Sequence, residues 1–489
     1  MQGLATLAKR TSRGSARALT SVPARTFAGG GKIEKMPEDQ NDFDICVVGG
    51  YNGTALVKFW QHDGISEKMA MISDESKFMI PEAYYLGSYG VIKALNMESS
   101  ALRAQVKANS RTDPNTRVTE IKPHDNKIVL DNGREYSYQS LVLAPGFQHS
   151  AENIEGLAEH EINGEQGNVF VHSNDTVARL DKNHFHGFHH HHGDLIVYNP
   201  AFPYKDEGLS FITFYYEHLL RNEKVLGRAS ANATVQYWTP NKSIFEYPYA
   251  NEVVLDECEK RGVDVYLGWE LIKVDESEHG EKFGVFKNVD TGETIERIVN
   301  QLICNPKYNV QKEIANSELV DENGLIDVNP YTLQHRKFEN VFAFGSATNL
   351  PTTRSQWATY AQSPIVKHNV LRYLRGQELN AIYDGYSFIF LPLSLQQATS
   401  FQHLYNYESH PKNHAVPHYG LFSRFYFSQY KRSVEKLSGK YGGFKQNAGP
   451  PHWNYNVRYD DLEHNEYLNR HRINPDETRF QEQVPSIAV

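Results

Sequence analysis

A short apolar run, Asp44-Ile-Cys-Val-Val48, runs straight into Gly49-Gly50-Tyr51-Asn52-Gly53. That junction restricts the fold more than any other feature of the chain. A buried strand that stops at glycines and restarts as a helix, here from Thr54 to roughly Gln61, opens a parallel strand–helix–strand unit. The same rhythm continues. Met69 to Ile72 reads as a second parallel strand. Lys127 to Leu130 and Glu135 to Tyr138 read as a hairpin around Asn132-Gly133, a strong turn pair. Leu141-Val-Leu143 reads as a further buried strand, closing at Ala144-Pro145-Gly146. A second series follows, with strands at Asp194–Tyr198, Thr234–Trp238 and Val263–Leu267 and helices at Leu209–Arg221 and Tyr249–Arg261. The alternation returns at Asn340–Phe344, which ends in Gly345 and precedes a helix containing Gln356, Ala361 and Val366. Strands alternating with helices of this length predict an α/β fold with two doubly wound, Rossmann-like domains.

The first turn has the frame of a dinucleotide fingerprint, G-x-G-x-x-G between strand and helix. In that motif the second glycine lets the backbone approach a pyrophosphate and the third lets helix pack on strand. Gly49 fills the first position, but Tyr51 stands at the second and Thr54 at the third, with Gly50 and Gly53 out of step. A tyrosine at the second position crowds the place of a pyrophosphate. The residue facing a ribose after the second strand is Ser73, not an acid, with Asp74 one place on. The second series offers Asn199-Pro200-Ala201-Phe202-Pro203, a turn without glycine, so no nicotinamide nucleotide is expected there.

With 489 residues and a formal net charge of −9, the chain has room for two or three cores and lacks a global nucleic-acid footprint. No run approaches the ~20 apolar residues of a membrane-spanning helix. Three cysteines, Cys46, Cys258 and Cys304, show no C-x-x-C spacing, which argues against a disulfide framework or a zinc centre. Residues 1–30 differ from the rest. Lys9, Arg10, Arg13, Arg17 and Arg25 lie among Ala, Ser, Thr and Leu, and the first acidic residue is Glu34. That is the composition of a mitochondrial transit peptide, whose removal takes the net charge from −9 to −14.

Beyond about residue 385 the alternation stops. Phe422, Phe425, Tyr426 and Tyr430 fall at helical spacing beside Arg424, Lys431 and Arg432, a pattern suited to a membrane interface or to an ordinary core helix. Gly439 to Pro451 is not helical, and with Trp453, Tyr455 and Tyr459 it reads as an arm that wraps a partner. The tract His184 to His192 is expected to be an exposed loop, without a metal site.

Several stretches carry a resemblance. Val47-Val-Gly-Gly50, Leu141-Val-Leu-Ala-Pro-Gly-Phe-Gln148, Tyr331-Thr-Leu-Gln-His-Arg336 with Asn340-Val-Phe342, Gly345-Ser-Ala-Thr-Asn-Leu-Pro351, Ala361-Gln-Ser363 and Tyr383-Asp-Gly-Tyr386 are similar to motifs of the mitochondrial sulfide:quinone oxidoreductase family. The similarity runs from about residue 43 to 400. Members carry FAD between two Rossmann-like domains, trap sulfur with two cysteines, and pass electrons to ubiquinone at the membrane.

The resemblance implies a domain plan. Residues 42–150 and 315–385 would form the FAD-binding-like domain and 151–314 the second Rossmann-like domain. Residues 386–455 would form a C-terminal interfacial region and 456–489 an extended tail. It also places the departures. The family's G-D-C-T-N-L-P reads G-S-A-T-N-L-P here, so Ala347 stands for one redox cysteine and Ser346 for the acid beside the flavin. Asp206, in Tyr204-Lys-Asp-Glu-Gly208, stands for the other cysteine. Sulfide oxidation needs a thiolate or an attackable disulfide, which neither Ala nor Asp supplies. The expectation is therefore an inactive relative with no catalytic residues. Vestigial FAD positions remain at Gly49, Gly50, Gly53, Ser73, Gly146, Gly345 and Ser346, with no cofactor, or FAD if any. It would serve as a structural subunit of a mitochondrial inner-membrane (respiratory-chain) complex on the matrix side. Phe422, Phe425, Tyr426, Tyr430 and Trp453 are the candidates for contact with protein partners or lipid. The alternatives are an active, FAD-dependent, quinone-reducing enzyme with a changed substrate, and a binding protein that uses the His tract.

Overall fold

In the computed structural model, described residues are 36–78, 99–100, 109–148, 150–160, 168–171, 194–201, 234–307, 309–394, 397–405, 421–437 and 458–459. The transit-peptide segment, the Leu209–Arg221 helix, the His tract, Asp206 and Trp453 lie outside them, as do the side chains of Phe422 and Tyr426.

Strand β1 (Asp42–Gly49) buries Ile45, Cys46, Val47 and Val48 almost completely. A strand apolar on both faces belongs inside a parallel sheet with helices above and below. Helix α1 (Tyr51–Asp63) follows and stops at Gly64, whose φ of 76° is the left-handed cap that glycine adopts most readily. Strands β2 (Met69–Ser73), β5 (Ser110–Pro114) and β8 (Glu135–Ala144) run parallel to β1 or to its neighbours. Strands β6 (Val118–Lys122) and β7 (Lys127–Leu130) form an antiparallel meander on β8, and the short pair β3 (Lys77–Phe78) and β4 (Ser99–Ser100) lies apart. The hairpin arm and the buried strand read separately from the sequence are one continuous β8. Its first half alternates in exposure beside β7. Its second half, Leu141–Ala144, is buried on both faces.

The second parallel sheet has the order β12 (Val263–Leu267), β11 (Val235–Thr239), β10 (Leu195–Tyr198), β16 (Gln301–Cys304), β9 (Val169–Val171). Helix α2 (Leu157–His160) is short, and helix α3 (Pro248–Arg261) starts on a proline that a first helical turn accepts. Against one face of this sheet packs an antiparallel sheet of β13 (Trp269–Glu276), β14 (Lys282–Asn288) and β15 (Thr294–Ile298). Trp238, Leu271, Val274 and Phe286 fill the space between them. This layer was absent from the sequence expectation.

After helix α4 (Lys312–Ala315) the chain returns to the first sheet. Strand β17 (Val341–Ala343) pairs in parallel with Leu141–Leu143 of β8. Helix α5 (Gln356–Leu374) then packs beside α1. Its N-cap Ser355 accepts a hydrogen bond from the Ala358 N–H. Strand β18 (Ala381–Ile382) pairs with β21 (Arg458–Tyr459), so part of the expected extended tail is a strand drawn back onto the body. A hairpin of β19 (Ser387–Pro392) and β20 (Ala398–His403) carries helix α6 (Leu421–Leu437). One continuous core unites the first sheet, α5, this hairpin and the inner side of α6.

Candidate functional site

Doubly wound sheets bind ligands beyond the carboxyl ends of their strands. In the first sheet that edge is built from the β1–α1 turn, the end of β2, the end of β8, and the β17–α5 connection. Three glycines there are held by packing. A Cβ on Gly49 would lie 2.1 Å from the Ala144 carbonyl oxygen, and one on Gly53 would meet Val47 and Met71 side chains at 3.1 Å. Gly345 has a φ of 91°. Gly50 is the N-cap of α1, and its carbonyl accepts both the N–H and the Oγ1 hydroxyl of Thr54 at 3.0 Å. Gly146, with a φ of 72°, turns the chain after β8 in open space.

The second fingerprint position carries a side chain instead of a bare backbone. Tyr51 is 7% exposed and belongs to the core. Beside it, Asn52 Oδ1 accepts a hydrogen bond of 2.7 Å from Gln356 Nε2, which joins the first turn of α1 to the first turn of α5. The N–H of Gly345 donates to Gln362 Oε1 at 2.8 Å. Arg354 Nη1 donates to the carbonyls of Ser346 and Thr348, and its guanidinium lies 5.5 Å over the Phe147 ring. Ser73 is buried, and its hydroxyl accepts the Glu75 N–H at 3.3 Å. Asp74 is exposed and takes a hydrogen bond from Gln311. Asn52, Arg354, Gln356 and Gln362 had not been singled out as site residues. The one available signal was the polar character of the first turns of both helices.

Ala347 is fully buried, with its carbonyl accepting the Ile326 N–H at 2.9 Å. The three cysteines are free and buried. Burial drives the Cys46 thiol far above its ordinary range and pushes Cys258 up to about 12. Cys46 and Cys304 lie in different sheets, β1 and β16, and Cys258 lies on α3. No thiol therefore sits at the first sheet's ligand edge among the described residues. No group of metal-ligating side chains suited to an ion occurs among them either.

The aromatic stripe on α6 is divided. Tyr430 is 3% exposed, stacked on Phe390 and edge-on to Trp357, so it is a core residue and not an open contact. Phe427 and Val434 complete this inner face. Phe425 is 62% exposed, between exposed Arg424 and Ser428 positions on the outer face. Among the described side chains of α6, Phe427, Tyr430 and Val434 face the core and Phe425 is the exposed aromatic. No described helix is long and apolar enough to cross a membrane.

No family model matches the chain. Among curated proteins, it is similar to the mitochondrial sulfide:quinone oxidoreductase of Schizosaccharomyces pombe, 31% identical over 315 residues, which is 63% of this chain and 64% of that protein. The aligned part thus spans a little under two thirds of that relative. The Mus musculus protein of the same name is 28% identical over 354 residues, 71% of this chain and 75% of that one. The Dictyostelium discoideum one is 26% identical over 273 residues, 55% and 57%.

Among solved structures, a chain of the Tetrahymena thermophila mitochondrial ATP synthase superposes with a TM-score of 0.74 at 24% identity, covering 86% of this chain and 99% of that chain. The sulfide:quinone oxidoreductase of Aquifex aeolicus gives 0.67 at 15% identity, covering 83% and 92%. The water-forming NADH oxidase of Lactobacillus brevis gives 0.53 at 13%, covering 75% and 76%. At these identities the structures establish the shared Rossmann-like α/β fold. By sequence the chain is similar to mitochondrial sulfide:quinone oxidoreductases at 26–31% identity.

Proposed function

We propose that this chain is a catalytically inactive relative of sulfide:quinone oxidoreductase that serves as a structural subunit of a mitochondrial inner-membrane assembly, on its matrix side. The observation that carries the reading is the chemistry missing at the reactive edge: Ala347 is a buried methyl group in the G-S-A-T-N-L-P turn, and every thiol of the chain is buried elsewhere. Hydrosulfide needs a sulfur to attack or a thiolate to oxidise, and this edge has neither. The side chains filling the edge do not suit a flavin dinucleotide, and we take the protein to be flavin-free.

Support for a scaffold role comes from the neighbour within the Tetrahymena thermophila mitochondrial ATP synthase, which shares the fold over 99% of its own length. A fold of this family can thus be a component of a large assembly. The three curated relatives are all mitochondrial by name. Tagging the protein in its own mitochondria, separating complexes on a native gel and identifying co-migrating chains tests the proposal. Stable co-migration with an inner-membrane complex is the expected result. A free monomer in the matrix overturns it.

One observation favours a second reading, an FAD-dependent oxidoreductase with a changed donor. The first sheet keeps the strand order and the glycine turns at Gly49 and Gly345 that nucleotide-binding sheets use. Stoichiometric flavin released from the purified protein would establish that reading.

A further inference from the structure

We propose that Asn52 and Gln356, sealed by Tyr51 and Arg354, form an internal clamp. It closes the ligand edge of the first sheet and holds the two distant segments of that domain together without a dinucleotide. This rests on the scaffold reading and deepens it, because it says how the fold persists once the cofactor is gone.

Helices α1 and α5 run side by side in the same direction. Asn52 meets Gln356 at one end and Phe59 meets Tyr360 edge-on at 5.9 Å. Further along, the Trp60 indole N–H donates to the Lys367 carbonyl at 3.0 Å, and Lys367 pairs with Asp63. The positive ends of two helix dipoles therefore lie together, each worth about half an elementary charge. Neither first turn contains an acidic residue. In a nucleotide-binding sheet an anion relieves such an arrangement.

Here the relief is neutral and internal. Asn52 supplies an amide oxygen between the two ends, and Gln356, 7% exposed, supplies the matching N–H across 304 residues of sequence. Tyr51, the first residue of α1, is buried in the core beside this pair. Arg354, one residue before the N-cap of α5, spends Nη1 on the carbonyls of Ser346 and Thr348, and Gln362 takes the Gly345 N–H. An entering phosphate would have to break the 2.7 Å amide pair and displace a buried ring. Breaking that part-buried pair separates two matched amides, which costs stability.

The test uses the purified full chain, followed by thermal unfolding with and without excess FAD. We expect no flavin on denaturation and no shift of the midpoint on adding FAD. Asn52→Ala and Gln356→Ala should each lower the midpoint by roughly 2 °C, and the double variant should fall no further than the worse single one, since both remove one interaction. Bound flavin, a midpoint raised by FAD in the unaltered protein, or fully additive losses in the double variant would each overturn the clamp. The FAD titration needs no variant, so a variant that fails to fold leaves the test intact. Co-migration with a complex is read separately, so the clamp and the scaffold role can fail independently.

Discussion

Gly49 and Ala144 face each other across the β1–β8 ladder so closely that a Cβ on Gly49 would lie 2.1 Å from the Ala144 carbonyl oxygen. With a φ of 149°, Gly49 also holds a backbone conformation that other residues rarely adopt. The first position of the fingerprint thus answers to the sheet, whatever binds beside it. Gly49→Ala should destabilise the protein by ~3 kcal/mol or more, since overpacking and backbone strain add. Chemical denaturation checks this. A loss below ~1 kcal/mol would mean that β1 and β8 part locally at little cost.

Helix α6 separates two aromatic residues that sequence spacing grouped together. Tyr430→Ala removes a ring stacked on Phe390 in the core and should cost ~3–5 kcal/mol. Phe425→Ala removes an exposed ring and should change stability by no more than ~0.5 kcal/mol. If the outer face of α6 meets a partner, Phe425→Ala weakens co-migration with the complex while leaving the unfolding midpoint in place. Equal stability losses for the two substitutions would contradict the division of the helix.

What could be read from the sequence follows from where the physical signal is local. The run Asp44–Val48 and its glycine turn signal a parallel strand because burial on both faces leaves a continuous apolar stretch. The sheet β13–β15 gave no such signal. Its strands are half exposed, with patterns mixing buried, partly buried and exposed residues, and β15 has no buried position at all. Strand β8 reads as two pieces because its neighbours change midway, from β7 to β17. At the site, Tyr51 in place of glycine is visible from neighbouring residues alone. The Asn52–Gln356 pair is not, because its partners are 304 positions apart and each is an ordinary polar residue in a first helical turn.

The thiols offer a direct chemical readout. Cys46, Cys258 and Cys304 are all buried, and burial holds Cys46 and Cys258 in the protonated form at neutral pH. Protonated, inaccessible thiols are inert toward electrophiles. The native protein should react negligibly with a thiol reagent, and three thiols should appear on denaturation. Ala347→Cys should restore no sulfide-dependent quinone reduction, because a single thiol cannot complete the two-sulfur cycle and Asp206 supplies no second one. Sulfide-dependent turnover in the unaltered protein would overturn the reading of the site.

The response to acid should be set first by histidines. His403 is 1% exposed, packed against the Tyr247 ring at 5.1 Å with Nδ1 on the Leu404 carbonyl, and burial holds its imidazole down at about 4. Burial also lowers His335 and His368. A histidine kept neutral in the fold gains its proton only on unfolding, so the unfolded chain binds more protons below the ordinary histidine value of about 6.5. Stability is therefore fully present above that pH and falls as pH drops toward 4, by up to ~1.4 kcal/mol per pH unit for His403, with His335 and His368 acting in the same direction. The exposed carboxylates with lowered values, Glu135, Asp275 and Glu318, act in a more acidic window, below the usual glutamate and aspartate range. Unfolding midpoints measured from pH 8 to pH 5 should decline only in the lower half of that span. His403→Asn, whose side-chain amide lies at the Nδ1 position that faces the Leu404 carbonyl, should flatten the decline. An unchanged slope in that variant would assign the acid sensitivity to the other two histidines.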